Sequence, residues 1–159
     1  MLDDWFVKEV EPRIKGKCFL IRFADDFIIG FQLELDAERI MEVLPKRFNR
    51  FELSLHPEKT KLILFGKPAK SGKPKGTFDF LGFAFYWGKT LKGYWVIKKQ
   101  TARKRLNRFL RMLWNWCKKN RHEPIEEQHK ILCSKLRGFY QYFGVRSNYK
   151  ALEAAYEYA

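Results

Sequence analysis

Two neighbouring carboxylates, Asp25 and Asp26, lie between Phe23-Ala24 and Phe27. Side chains of this type bind hard divalent cations; magnesium prefers their oxygens and keeps several of its own waters. Two such ions about 4 Å apart stabilise the attacking and leaving oxygens of a nucleotidyl transfer. Adjacent carboxylates repel one another, so a bound cation or a basic substrate channel has to offset them. Asp-Asp is also common in β-turns, because Asp tolerates turn geometry. The pair alone decides nothing; its setting does.

That setting begins with two short apolar runs. Residues 18–23 and 27–31, rich in Phe and Ile, read as a β-hairpin with Ala24, Asp25 and Asp26 at its turn. Residues 2–14 show helical spacing through Leu2, Trp5, Phe6, Glu9 and Val10, closing near Pro12. Asp36 is placed to cap a helix running to about residue 51, striped by Ile40, Val43, Leu44 and Phe48 and interrupted by Pro45. Residues 53–65 hold a turn at His56-Pro57 and a strand over 61–65. Residues 66–76 set Lys67, Lys70, Lys73 and Lys75 among Pro and Gly, a mobile basic loop. Strands are expected over 77–87 and 94–98. From residue 100 to 121 the period changes from two to 3.6, with Leu106, Phe109, Leu110, Leu113 and Cys117 on one face and Lys104, Arg108, Arg111 and Lys118 on another. Further helices are expected over about 123–136, 137–143 and from 149 onward. The fold class is α+β, with an antiparallel sheet and flanking helices over residues 1–97 and an all-helical region over 98–159.

The charge balance points to a polyanionic partner. Thirty-two Lys and Arg against eighteen Asp and Glu give +14, a surplus that attracts polyanions at long range. Nucleic acid fits better than an anionic membrane surface, because the basic residues are interleaved with Trp, Tyr and Phe. The segment 98–121 has ten basic residues and no acidic one, so no i, i+4 acid neutralises its charged face. Trp114 and Trp116 cannot both face a core, which leaves one to stack on a base or sugar or to pack on a neighbouring element. Cys18, Cys117 and Cys133 are scattered and odd in number, against a disulfide framework or a CxxC zinc site and in keeping with a reducing compartment. His56 sits in a turn, and His122 and His129 flank a helix, seven residues apart, with no nearby Cys partner; no metal role is assigned to them. The first ten residues do not form a signal peptide, and no apolar stretch approaches the roughly 18 residues of a membrane span. A cytoplasmic protein is expected.

Four stretches in order carry a family resemblance. Ile21-Arg22-Phe23-Ala24-Asp25-Asp26-Phe27 resembles the aromatic-x-Asp-Asp catalytic hairpin of reverse transcriptases. Leu55-His56-Pro57-Glu58-Lys59-Thr60-Lys61 resembles the turn and strand that follow it, and Phe78-Asp79-Phe80-Leu81-Gly82-Phe83 the primer-grip hairpin. Leu136-Arg137-Gly138-Phe139-Tyr140-Gln141-Tyr142-Phe143-Gly144 resembles the thumb, or maturase, helices of group II intron-encoded proteins. The resemblance covers nearly the whole chain and implies a partial polymerase palm over 1–97 followed by a helical thumb over 98–159.

It further implies roles. Asp25 is a metal-ligating catalytic aspartate and Asp26 its neighbour, holding Mg2+, with Mn2+ as the alternative ion. Phe23 stands where the family more often has Tyr. Lys59 assists the leaving pyrophosphate, or is a solvated lysine beside a strand. Phe80, Leu81, Gly82 and Phe83 position the primer end, with Gly82 permitting close backbone approach. Lys98, Lys99, Arg103, Lys104, Arg108, Arg111 and Lys118 track an RNA template–DNA primer duplex or group II intron RNA, gripping A-form shape and phosphates rather than base edges. Family members carry fingers and another catalytic aspartate upstream of the hairpin, which Asp3 and Asp4 cannot supply. The expectation is a split, truncated or degenerate reading frame, or one part of a two-piece enzyme that a separate N-terminal fragment would complete, without unaided polymerase activity. The alternatives are an RNA-binding, maturase-like module or a non-functional remnant. An exposed sheet edge and exposed apolar surface are also expected.

Overall fold

Leu2, Trp5, Phe6 and Val10 share one face of the opening helical segment, and all four are buried. In the computed structural model, which describes residues 2–70 and 72–159, this segment changes pitch as it runs. It begins as α1 (Leu2–Trp5), continues as a π-helical turn (Phe6–Val10) and closes in a 3-10 turn (Glu11–Arg13) that contains Pro12. The chain then forms β1 (Cys18–Phe23) and β2 (Asp26–Phe31), an antiparallel hairpin in which Phe23 pairs with Asp26. Helix α2 (Glu34–Asn49) follows. Alternation sorts the hairpin into two faces. Cys18, Leu20, Phe27, Ile29 and Phe31 pack with Ile40, Leu44 and Phe48 of α2 against the opening segment. Phe27 stacks on Phe48 at 5.8 Å. On the other face Phe19, Ile21 and Phe23 are 54%, 49% and 64% exposed, in line with the expected uncovered apolar surface.

Four expectations for this region change. The turn is two residues, Ala24 and Asp25, because Asp26 already pairs as the first residue of β2. Asp36 does not cap α2: Leu33 occupies the cap position, and Asp36 lies buried within the first turn, accepting a hydrogen bond from the Gly16 amide at 3.3 Å. Residues 61–65 form no strand, since no neighbouring strand pairs with them among the described residues. Helix α2 runs unbroken through Pro45, with Leu44 buried and Phe48 packed on the core.

The second part of the chain is a three-stranded antiparallel meander, β3 (Phe78–Phe80), β4 (Phe83–Lys89) and β5 (Trp95–Thr101), in that order. Three helices follow: α3 (Arg103–Asn120), α4 (Ile125–Phe143) and α5 (Tyr149–Tyr158). The separate helices expected over 123–136 and 137–143 are one helix, α4. Gly138 does not break it; an added Cβ there meets nothing within 4 Å, and an exposed helical glycine costs only about 1 kcal/mol. Leu113, Phe139 and Ala155 are the buried centre of the three helices. Buried Asn148 ties them to the sheet: its Oδ1 accepts from the Thr101 amide at 2.7 Å, and its Nδ2 donates to Thr101 Oγ1 at 2.8 Å and to the Phe143 carbonyl at 2.7 Å. The chain divides into two compact units, Met1–Ile63 and Leu64–Ala159. The second therefore takes in the meander together with the helices; β5 runs through Lys98 to Thr101, and the all-helical part begins at Arg103.

Candidate functional site

The aspartate pair stands at the tip of the β1–β2 hairpin. Asp25 is the second turn residue and Asp26 opens β2, both exposed. By register Asp26 shares the outward face with Ile21, Phe23 and Ile28. The tight turn holds Ala24 in the left-handed region at φ 51°, a conformation that costs a non-glycine residue roughly 1–2 kcal/mol. Arg22 braces it. Its Nη1 donates to the Ala24 carbonyl at 3.3 Å, and its Nε and Nη2 reach the Asp3 carboxylate at 3.0 and 2.7 Å. The pair ties the hairpin tip to α1. The Arg22 hydrogen bond holds the Asp3 carboxyl below the usual carboxylate range, and Asp3, then Asp25, raise the Arg22 guanidinium in return. Sequence reasoning missed this brace; it placed Asp3 and Arg22 19 residues apart without linking them, and no local spacing rule could have done so.

The donor chemistry fits magnesium, a hard cation bound through one or two carboxylates and otherwise by water and phosphate. The pair is not a closed cage. Among the described residues no group of three His, Cys, Asp or Glu side chains could hold a metal ion. Lys59 lies exposed in the turn after His56, where its amide donates to the His56 carbonyl at 3.1 Å. Among the described residues no ion pair links it to Asp25 or Asp26. His129 does have a sulfur neighbour, contrary to the sequence reading: Cys133 Sγ lies 3.4 Å from its Nε2, one turn along α4.

Within the second unit, Phe80, Leu81, Gly82 and Phe83 form the tight β3–β4 connection. Leu81 at φ 50° and Gly82 at φ 80° are both left-handed, the geometry of a two-residue hairpin turn. Backbone angle, not crowding, favours glycine at 82: an added Cβ would meet only ordinary contacts, 3.5 Å from Phe143. The tip docks on α4. Tyr142 donates its hydroxyl to the Leu81 carbonyl at 2.9 Å, and Phe83 packs on Tyr142 and Phe143 at 5.8 and 5.2 Å. Phe139, one turn earlier, stacks on Phe109 at 4.1 Å. Phe139, Tyr142 and Phe143 thus form one seam from the meander through α4 to α3.

The basic residues fall on β5 and α3. Lys98 and Lys99 are half-buried, and Lys99 Nζ lies 5.5 Å from the centre of the Phe83 ring. Arg103, Lys104, Arg108, Arg111 and Lys118 are all exposed. Helical spacing puts Lys104, Arg108, Arg111 and Lys118 along one stripe, opposite buried Leu113. Trp116 turns inward, half-buried, with Lys135 Nζ 5.6 Å from its ring, while Trp114 is 59% exposed. No helix among the described residues is long and apolar enough to cross a membrane.

A family model described as reverse transcriptase (RNA-dependent DNA polymerase) matches residues 2–85. The match takes in the whole aspartate hairpin and ends within β4. No curated protein and no solved structure matches the chain.

Proposed function

The chain belongs to the reverse transcriptase (RNA-dependent DNA polymerase) family, and on that premise we propose that it supplies the divalent-metal hairpin and a basic helical clamp to an RNA-templated polymerase of the group II intron kind. The carrying observation is the exposed Asp25 and Asp26 at the braced tip of a tight hairpin, inside the matched segment. In this reading Asp25 is the principal ligand of Mg2+ or Mn2+, and Asp26 adds a second oxygen donor. When bound, the metal neutralises charge on the reacting phosphate oxygens. Completing a two-ion site takes further carboxylates, which we assign to another segment or a separate fragment of the polymerase. Phe80, Leu81, Gly82 and Phe83 set the height of the primer end, and Lys59 serves the triphosphate. The stripe of α3, with Lys98, Lys99 and Arg103, takes the phosphates of an A-form template–primer duplex or of intron RNA. The three free thiols suit a reducing cytoplasm.

The test is primer extension on an RNA template with a fragment supplying fingers and the further aspartate. Extension is expected only in the mixture, and Asp25→Ala is expected to abolish it. Activity that survives Asp25→Ala removes that residue from the reaction.

The pair's lack of a third ligand among the described residues also favours a second reading, an RNA-binding maturase-like module without catalysis. Structured-RNA binding indifferent to Asp25→Ala but lost on neutralising Lys104, Arg108 and Arg111, with no extension in any mixture, selects it.

A further inference from the structure

A shallow groove of about 280 Å³ runs between α3 and α5, lined by Asn107, Leu110, Arg111, Trp114 and Tyr158. Its two aromatic walls are unusually open. Trp114 is 59% exposed and Tyr158 49%, and neither ring stacks on another aromatic among the described residues. The neighbouring Trp116 behaves as a packed tryptophan should, half-buried under Lys135. Core packing therefore accounts for one tryptophan of α3 and leaves the other unexplained.

The surroundings specify the chemistry of an occupant. Arg111 lies one helical turn before Trp114 and belongs to the cationic stripe of a helix with no acidic residue. Asn107 adds an amide that can donate to and accept from a base edge. From α5 the groove is lined by Tyr158, which adds a second aromatic face. Phosphates are favoured on the α3 side, where Arg111 is the one cation of the lining. A planar, largely uncharged ring attached to an anionic backbone satisfies both walls.

We propose that this groove seats one unpaired base of a nucleic-acid strand whose phosphates follow the α3 stripe, with Trp114 and Tyr158 as stacking surfaces and Arg111 on the adjoining phosphate. The inference rests on the nucleic-acid role of α3 and adds to it a preference for a single-stranded extension beside the duplex. Base–aromatic stacking is indifferent to sequence, because every base has a π-face.

The experiment compares fluorescence-anisotropy titrations of the full chain with two labelled RNA duplexes, one blunt and one with a three-nucleotide single-stranded extension. Wild-type protein is expected to prefer the extended duplex. Trp114→Ala is expected to weaken that complex about 5- to 100-fold while leaving the blunt duplex within about twofold; Trp114→Phe, which keeps a ring, is expected to retain most of the preference. Thermal melting by circular dichroism checks that both variants fold. If the wild type binds both duplexes and Trp114→Ala weakens neither, or weakens both alike, the base seat is wrong and the nucleic-acid reading stands. If the wild type binds neither, both fail.

Discussion

At the scale of single residues, the tip of the aspartate hairpin is held by a partner far away in sequence. Arg22 binds the Asp3 carboxylate and the Ala24 carbonyl together, so the strained turn before Asp25 is fixed from outside the hairpin. The interaction is exposed and depends on Asp3 being ionised. Asp3 is held below the usual carboxylate range, so its contribution to stability is present above the unfolded value, about 3.9. It is lost as pH falls through the lower folded value. Arg22, shifted upward, stays charged throughout that window. The melting temperature of wild-type protein minus that of Asp3→Asn is therefore expected to be positive and constant near neutrality and to shrink toward zero below about pH 4. A difference that does not change between pH 7 and pH 3 rules out the brace. Asn148 shows the same blindness of local reading. It occupies the N-cap position of α5, yet it makes no side-chain cap bond and its amide faces Thr101 and Phe143 instead. Both residues act through contacts that only the tertiary fold creates.

Among the elements, legibility followed how much of the outcome was local. The β1–β2 hairpin could be read because two short apolar runs, rich in Phe and Ile, flank turn residues. The face of α3 could be read because 18 residues of regular spacing outweigh any one substitution. Residues 61–65 misled because Leu62, Ile63 and Leu64 have strand-like composition, but a strand needs a partner, and these side chains are 49%, 37% and 57% exposed. The stretch resembling a thumb helix contained its own structural explanation: Phe139, Tyr142 and Phe143 form the seam from the sheet to α3, and Gly144 ends α4. The Gly144 amide donates to the Tyr140 carbonyl at 2.7 Å, and an added Cβ would clash with that same carbonyl oxygen. A backbone obstacle cannot swing aside as a side chain can. Gly144→Ala is therefore expected to destabilise the second unit by about 1–3 kcal/mol, the usual range for forced overpacking, measured by urea unfolding. An unchanged midpoint would show that the end of α4 relaxes freely.

For the molecule as a whole, charge and exposed apolar surface speak to partners rather than to fold. A net charge of +14 makes affinity for any nucleic acid fall with salt, and the slope reports how many phosphates are neutralised. Replacing Lys104, Arg108 and Arg111 together by Gln is expected to flatten the plot of log affinity against log salt by about 2–3, at 0.7–0.9 per phosphate contact. A slope unchanged by the triple replacement moves the interface off α3. The outward face of the aspartate hairpin, with Phe19, Ile21 and Phe23 exposed, follows from the same alternation that buries Leu20 and Phe27.

The metal role proposed for the hairpin is tested most directly by titrating Mn2+ into the isotope-labelled chain and following the paramagnetic broadening of backbone amide signals. Selective broadening is expected first at Ala24, Asp25, Asp26 and Phe27, reversed by excess Mg2+ and abolished in Asp25→Asn/Asp26→Asn. Broadening centred elsewhere, or unchanged in the double variant, would mean that this aspartate pair does not hold the catalytic ion.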